Sequence, residues 1–230
     1  MADKSRFNLT GWVEFDLDIP VSGWYELWSG GNPPEWPRDI FVDGDTIVRL
    51  EHSHDSDILE NPERGEVSFK DVNLYFTKGK HTLRIRRLGF PGMLPTILEL
   101  RPADGNPAGC IRVSYDGSRL VNTGESVTLK VLGGTTIPTS YDLFLVNEVS
   151  DDEIPVGSVS FAAMDRPIEK SVAIKFPKEG FYSIIGKADG EQLKPSDLKA
   201  GYFMVGDVLE DGRRVLNEDF RFGGVFADNV

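Results

Sequence analysis

The sequence predicts an all-β protein built from two consecutive β-sandwiches. Three observations predict it. Apolar residues recur at every second position in one segment after another, Gly and Pro punctuate those segments at short intervals, and no stretch carries an apolar stripe at helical spacing. The 24 Gly and 14 Pro among 230 residues supply the turns that such a chain needs. A chain of this length buries enough apolar surface to fold without staples.

The first alternating segment covers residues 12–18, with Val13, Phe15 and Leu17 on one face and Glu14, Asp16 and Asp18 on the other. Pro20 and Gly23 end it, and residues 24–28 start the next strand. After a polar, Pro-rich loop at 29–37, residues 40–42 and 46–50 flank Asp43-Gly44-Asp45, a hairpin signal. A charged loop is expected at 51–64. Alternation then resumes through Val67, Phe69, Val72, Leu74 and Phe76, turns at Lys78-Gly79-Lys80, and continues over 81–86. A loop at 88–95 leads to a closing strand at 96–100.

Residues 102–107 (Pro-Ala-Asp-Gly-Asn-Pro) read as an interdomain linker, dividing a domain at 1–102 from one at 108–207 that folds separately. Strands of the second half are expected at 111–115, 127–132, 141–146, 156–161, 172–176, 181–186 and 201–205, at the spacing of a sandwich. Residues 208–230, charged and then Gly-rich, fit neither sandwich and read as a tail or the start of a further domain.

A formal charge of −12 repels phosphate backbones and anionic lipid, so neither nucleic acid nor a membrane surface is an expected partner, whereas neutral polar ligands carry no such penalty. Cys110 is the only cysteine, which excludes an intrachain disulfide and a multi-Cys zinc site. No apolar run is long enough to cross a bilayer as a helix, and residues 1–4 lack the look of a signal peptide. No metal site or cofactor is expected: the His52-Ser53-His54-Asp55-Ser56-Asp57 run has ligand residue types without ligand spacing. No catalytic motif is present, and Cys110 reads as a core residue rather than a nucleophile.

The stretch from Val13 to Leu17 leading into Ile19-Pro20-Val21-Ser22-Gly23-Trp24-Tyr25, the Val42-Asp43-Gly44 turn, and Leu74 to Ile85 around Lys78-Gly79-Lys80-His81-Thr82-Leu83 together resemble the jelly-roll carbohydrate-binding modules of polysaccharide-degrading enzymes. The resemblance covers roughly the first hundred residues. It departs from the pattern at Gly89-Phe90-Pro91-Gly92-Met93-Leu94-Pro95, where family members commonly place an Asn that bonds the sugar, and the acidic N-terminal calcium signature is missing. Gly180-Phe181-Tyr182-Ser183-Ile184 resembles the tyrosine corner of immunoglobulin-like sandwiches of the bacterial accessory type. The resemblances imply an extracellular or periplasmic protein that binds a polysaccharide or oligosaccharide, next to a possible catalytic domain beyond residue 230.

A sugar site needs a flat aromatic and fixed polar groups. Trp28, Trp36 and Arg38 frame a loop containing Asn32, with Phe90 at one end of the same sandwich, and these five residues are the candidate ligand contacts. The alternative is that Trp28 ends a core strand, Trp36 plugs the sandwich edge, and Phe90 caps the core. Two rival functions remain open: a structural or adhesive protein whose sandwiches bind protein partners, and, more weakly, a glycoside hydrolase using paired carboxylates.

Overall fold

The computed structural model describes residues 10–30, 38–50, 58–61, 66–88, 97–103, 105–189, 191–193, 198 and 202–207. The protein is all-β, as its alternation and turn residues predict. The first eight strands are β1 (Thr10–Ile19), β2 (Gly23–Gly30), β3 (Arg38–Val42), β4 (Asp45–Leu50), β5 (Ile58–Asn61), β6 (Glu66–Phe76), β7 (Gly79–Leu88) and β8 (Ile97–Pro102). They form two four-stranded sheets, ordered β1-β7-β3-β4 and β5-β6-β2-β8. The chain passes repeatedly between the two sheets, and Tyr25, Leu27, Ile40, Val72, Leu74, Phe76, Leu83 and Ile85 fill the space between them.

The apolar spacing changes from two to three between Phe69 and Val72, and the structure shows why. The register of β2 against β6 shifts between Leu27 and Trp28, leaving Asp71 as an extra residue on β6. With this bulge, Val72 and Leu74 face the core while Lys70 stands opposite Trp28 on the other side of the sheet. β5 lies inside the stretch expected to be a charged loop. Four residues are too few to show an alternation against Glu and Asp neighbours.

The second set comprises β9 (Ile111–Ser114), β10 (Leu120–Val121), β11 (Ser126–Gly133), β12 (Thr139–Asn147), β13 (Glu153–Phe161), β14 (Ile168–Lys175), β15 (Gly180–Ala188), β16 (Glu191–Leu193) and β17 (Phe203–Val205). One sheet runs β14-β11-β9; the other runs β10-β17-β15-β12-β13, with β16 on β15. Burial along β11 and β12 alternates strictly, and Leu129, Val131, Tyr141, Leu143, Phe161, Ile184 and Phe203 are among the residues that meet in the core. Short β10 and β16, of two and three residues, carry no periodicity. Tyr182 is fully buried, and its hydroxyl donates to Lys178 O at 3.1 Å, as the tyrosine-corner reading expects. Tyr25 makes the same bond in the first set, donating to Val21 O at 2.7 Å.

Among the described residues, no strand of one set pairs with a strand of the other. The join between them is nevertheless ordered by bonds. Pro102 pairs with Tyr25 as part of β8, Ala103 N donates to Trp24 O at 3.0 Å, and Asn106 caps the 3-10 turn Pro107–Gly109.

Candidate ligand-binding site at the seam

The sheet that carries β2 and β6 has an inner side in the first core and an outer side facing the second sandwich. Register places Trp24 opposite Tyr75, Glu26 opposite Asn73 and Trp28 opposite Lys70 on that outer side. Solvent is largely excluded from it: Trp24 and Trp28 are each 6% exposed, Lys70 3% and Asn73 0%. Charges and amides placed here need partners, because desolvation without one is expensive. Glu26 provides two, holding Lys70 Nζ at 2.9 Å and accepting from Trp28 Nε1 at 3.0 Å. The Arg101 guanidinium lies 4.4 Å from the centre of the Trp28 ring.

Asn73 reaches into the second sandwich, where its Nδ2 donates to Ala108 O at 2.7 Å and Ile111 O at 2.8 Å. Arg112 returns the bond, donating to Asn73 O at 3.0 Å; burial lowers its guanidinium to about 10. The 3-10 turn can approach because Gly109 has no side chain: a Cβ there would stand 2.6 Å from Ala103 Cβ. Cys110, with Trp24 and Ala103, forms a small apolar cluster against Tyr75 and Leu132. Burial, reinforced by the Glu26 carboxylate and opposed by Lys70, raises its thiol to about 11, which suits a packed thiol rather than a nucleophile.

At one end of this seam the two sandwiches part into a cleft of about 440 Å³. Its first wall is the β1–β2 turn with Ser22, and the edge-on pair Trp24 and Tyr75, whose ring centres lie 5.9 Å apart, forms its floor. The opposite wall comprises Thr135, Thr136, Met164 and Asp165. Two bonds cross from floor to far wall: Trp24 Nε1 donates to Gly134 O at 2.9 Å and Tyr75 Oη to Asp165 O at 2.8 Å. The two far-wall loops are tied to each other by Met164 N donating to Thr135 O at 2.8 Å. Two aromatic residues, the hydroxyl-bearing Ser22, Thr135 and Thr136, and Asp165 therefore line one space whose walls are already bonded to each other.

A second hollow of about 340 Å³ lies between β1 and β8, lined by Phe15, Leu17, Leu27, Leu83, Leu98 and Leu100 with Asp16 and Glu99. Among the described residues, no group of three potential metal-ligating side chains comes together.

Of the five candidate contacts, Asn32, Trp36 and Phe90 lie outside the described residues, as does the His52–Asp57 run. Trp28 is buried on the outer side of β2, against Glu26 and Arg101. Arg38 is 6% exposed and forms an ion pair with Asp71, the bulge residue. Neither is presented on a loop surface. The seam residues were missed because no local pattern joins Trp24 to Gly134, 110 positions apart. A usable signal was Trp24 and Tyr75 themselves: large aromatics on the polar face of alternating strands.

No family model matches the sequence, and no curated protein matches it. Solved structures that resemble it include a β-D-mannosidase from Dictyoglomus thermophilum, with 10% identity and a TM-score of 0.30, covering 87% of this chain and 30% of that one. A GH2 β-galacturonidase from Eisenbergiella tayi shows 12% identity and a TM-score of 0.26, over 80% of this chain and 34% of that one. A Faecalibacterium prausnitzii β-glucuronidase shows 10% identity and a TM-score of 0.26, over 87% and 38%. This chain thus spans about a third of the length of these proteins. Likenesses this loose carry no argument about its function.

Proposed function

We propose that this chain is the non-catalytic, carbohydrate-binding accessory region of a secreted glycan-active protein, with a jelly-roll module at residues 1–102 and an immunoglobulin-like module at 108–207. The passage of the first eight strands between two sheets and the Tyr182 corner support the module types. One observation carries the ligand class: the seam cleft combines aromatic carbon with hydroxyls, the combination that recognises a sugar's apolar face and its rim. Among the described residues lining it, Asp165 is the sole carboxylate, whereas glycoside hydrolysis by the usual route needs a facing pair.

A glycan array probed with the whole chain tests this reading, alongside an assay on aryl glycosides. Binding to glycans without turnover is the expected result. Binding to none, across neutral and acidic glycans, overturns it. The array should include Trp36→Ala, because the loop around Trp36 remains the contact surface proposed from the sequence.

A second reading, a protein-binding or adhesive role, is favoured by one feature. On the outer side of the other first-sandwich sheet, Trp12 is 59% exposed beside Arg84, whose guanidinium lies 4.8 Å from its ring centre. Exposed Trp and Arg are the residue types that dominate protein interfaces.

A further inference from the structure

We infer that the seam cleft is a binding site for a neutral mono- or disaccharide, gripped by both sandwiches at once, and that it discriminates against acidic sugars. The inference rests on the carbohydrate reading above and gives it a location and a selectivity. Its volume of about 440 Å³ lies in the range of small-ligand sites, about 300–1,000 Å³.

The polar groups available to a ligand decide its chemistry. Tyr75 donates its proton to Asp165 O, so its oxygen is left as an acceptor for a ligand hydroxyl. Thr136 and Asp165 are exposed residues of the lining, and among the described residues neither side chain has a partner within the protein. A carboxylate accepts and does not donate, so Asp165 suits a pair of vicinal hydroxyls, the group that free hexopyranoses such as mannose and galactose carry. The same charge repels a uronate or a sulfated sugar, and the formal charge of −12 adds to that repulsion.

Preorganisation is built in. The walls are already held by Trp24 to Gly134, Tyr75 to Asp165 and Met164 to Thr135, so binding orders little that is not ordered beforehand. Because one wall belongs to each sandwich, a bound sugar favours the docked arrangement over the separated one and raises the chain's melting temperature with concentration.

The test is calorimetric titration of the whole chain with mannose, galactose, lactose and glucuronate, on the wild type and on four variants. At least one neutral sugar should bind, with glucuronate about tenfold weaker or absent. Asp165→Ala should weaken the neutral sugar about tenfold, and Asp165→Asn should relax the discrimination against glucuronate. Thr136→Trp, a substitution at an exposed position, should block the cleft without lowering the melting temperature. Equal binding of glucuronate and neutral sugars, or full affinity in Thr136→Trp, overturns the inference. If affinity survives Thr136→Trp but is lost in Trp36→Ala, the sugar sits at the sequence-proposed loop: the seam site falls while the carbohydrate function stands. If none of these sugars binds, the seam site falls, and the glycan array decides whether the carbohydrate function falls with it.

Discussion

The two sheets of the first sandwich turn similar outer faces to very different surroundings. On β2 and β6 the outer residues include Trp24, Glu26, Trp28, Lys70 and Tyr75; on β1, β7 and β3 they include Trp12, Glu14, Arg84, Arg86 and Phe41. Both mix aromatics with opposite charges at alternate positions. Yet Trp24 and Trp28 are each 6% exposed, whereas Trp12 is 59% exposed. On the first face Asn73 bonds into the 3-10 turn and Trp24 into a loop of the second sandwich; on the second, Arg84 and Glu14 form a half-exposed pair at 2.7 Å and Arg86 pairs with the buried Asp39. Alternation tells which residues share a face. Whether another part of the chain covers that face is a property of tertiary docking.

The contrast fixes an order of expected effects. Trp24→Ala should be the most damaging single change, at about 3–5 kcal/mol, because it empties the apolar cluster at the seam and removes the bond to Gly134 O. Denaturant unfolding measures this directly. A loss below about 1 kcal/mol would mean that the covered face is no more committed than the bare one.

Tyr182→Phe should cost less, about 1 kcal/mol, since it removes one bond to Lys178 O and leaves the ring packed against Phe176, 5.5 Å away between centres. Tyr25→Phe makes the matching comparison in the first sandwich, where the bond to Val21 O is shorter. Unchanged stability in both would show that these corners are by-products of packing. Trp12→Ala should be the mildest, under about 1 kcal/mol, because it forfeits only an exposed cation–π contact. Destabilisation comparable to Trp24→Ala would mean that the bare face is covered in solution.

Much of this architecture was legible because its strands are long and alternate. Strands such as β11 and β12 show the buried-exposed rhythm that the residues predicted, and Tyr182 was identifiable from the residues around it. The short strands β5, β10 and β16 were not, since two to four residues carry no period. The site was less legible than the fold. Arg38 reads as a loop cation beside Pro37, but the Asp71 bulge supplies it with a buried carboxylate partner that only the register of β6 reveals. Trp24, Tyr75 and Asp165 converge through the docking of two sandwiches, and no sequence spacing encodes that docking. Within the segment at 102–107, read as a linker, Pro102 belongs to β8, Ala103 is buried at the seam and Asn106 caps a turn. Proline and glycine mark a change of direction there, and they say nothing about how tightly the turning chain is held.

The cleft exists only while the two sandwiches are docked. Differential scanning calorimetry of the whole chain tests that docking most directly. The buried Trp24, the Glu26–Lys70 pair and the Asn73 bonds predict one transition whose calorimetric and van't Hoff enthalpies agree. Two well-separated transitions, each unaffected by Trp24→Ala, would contradict it.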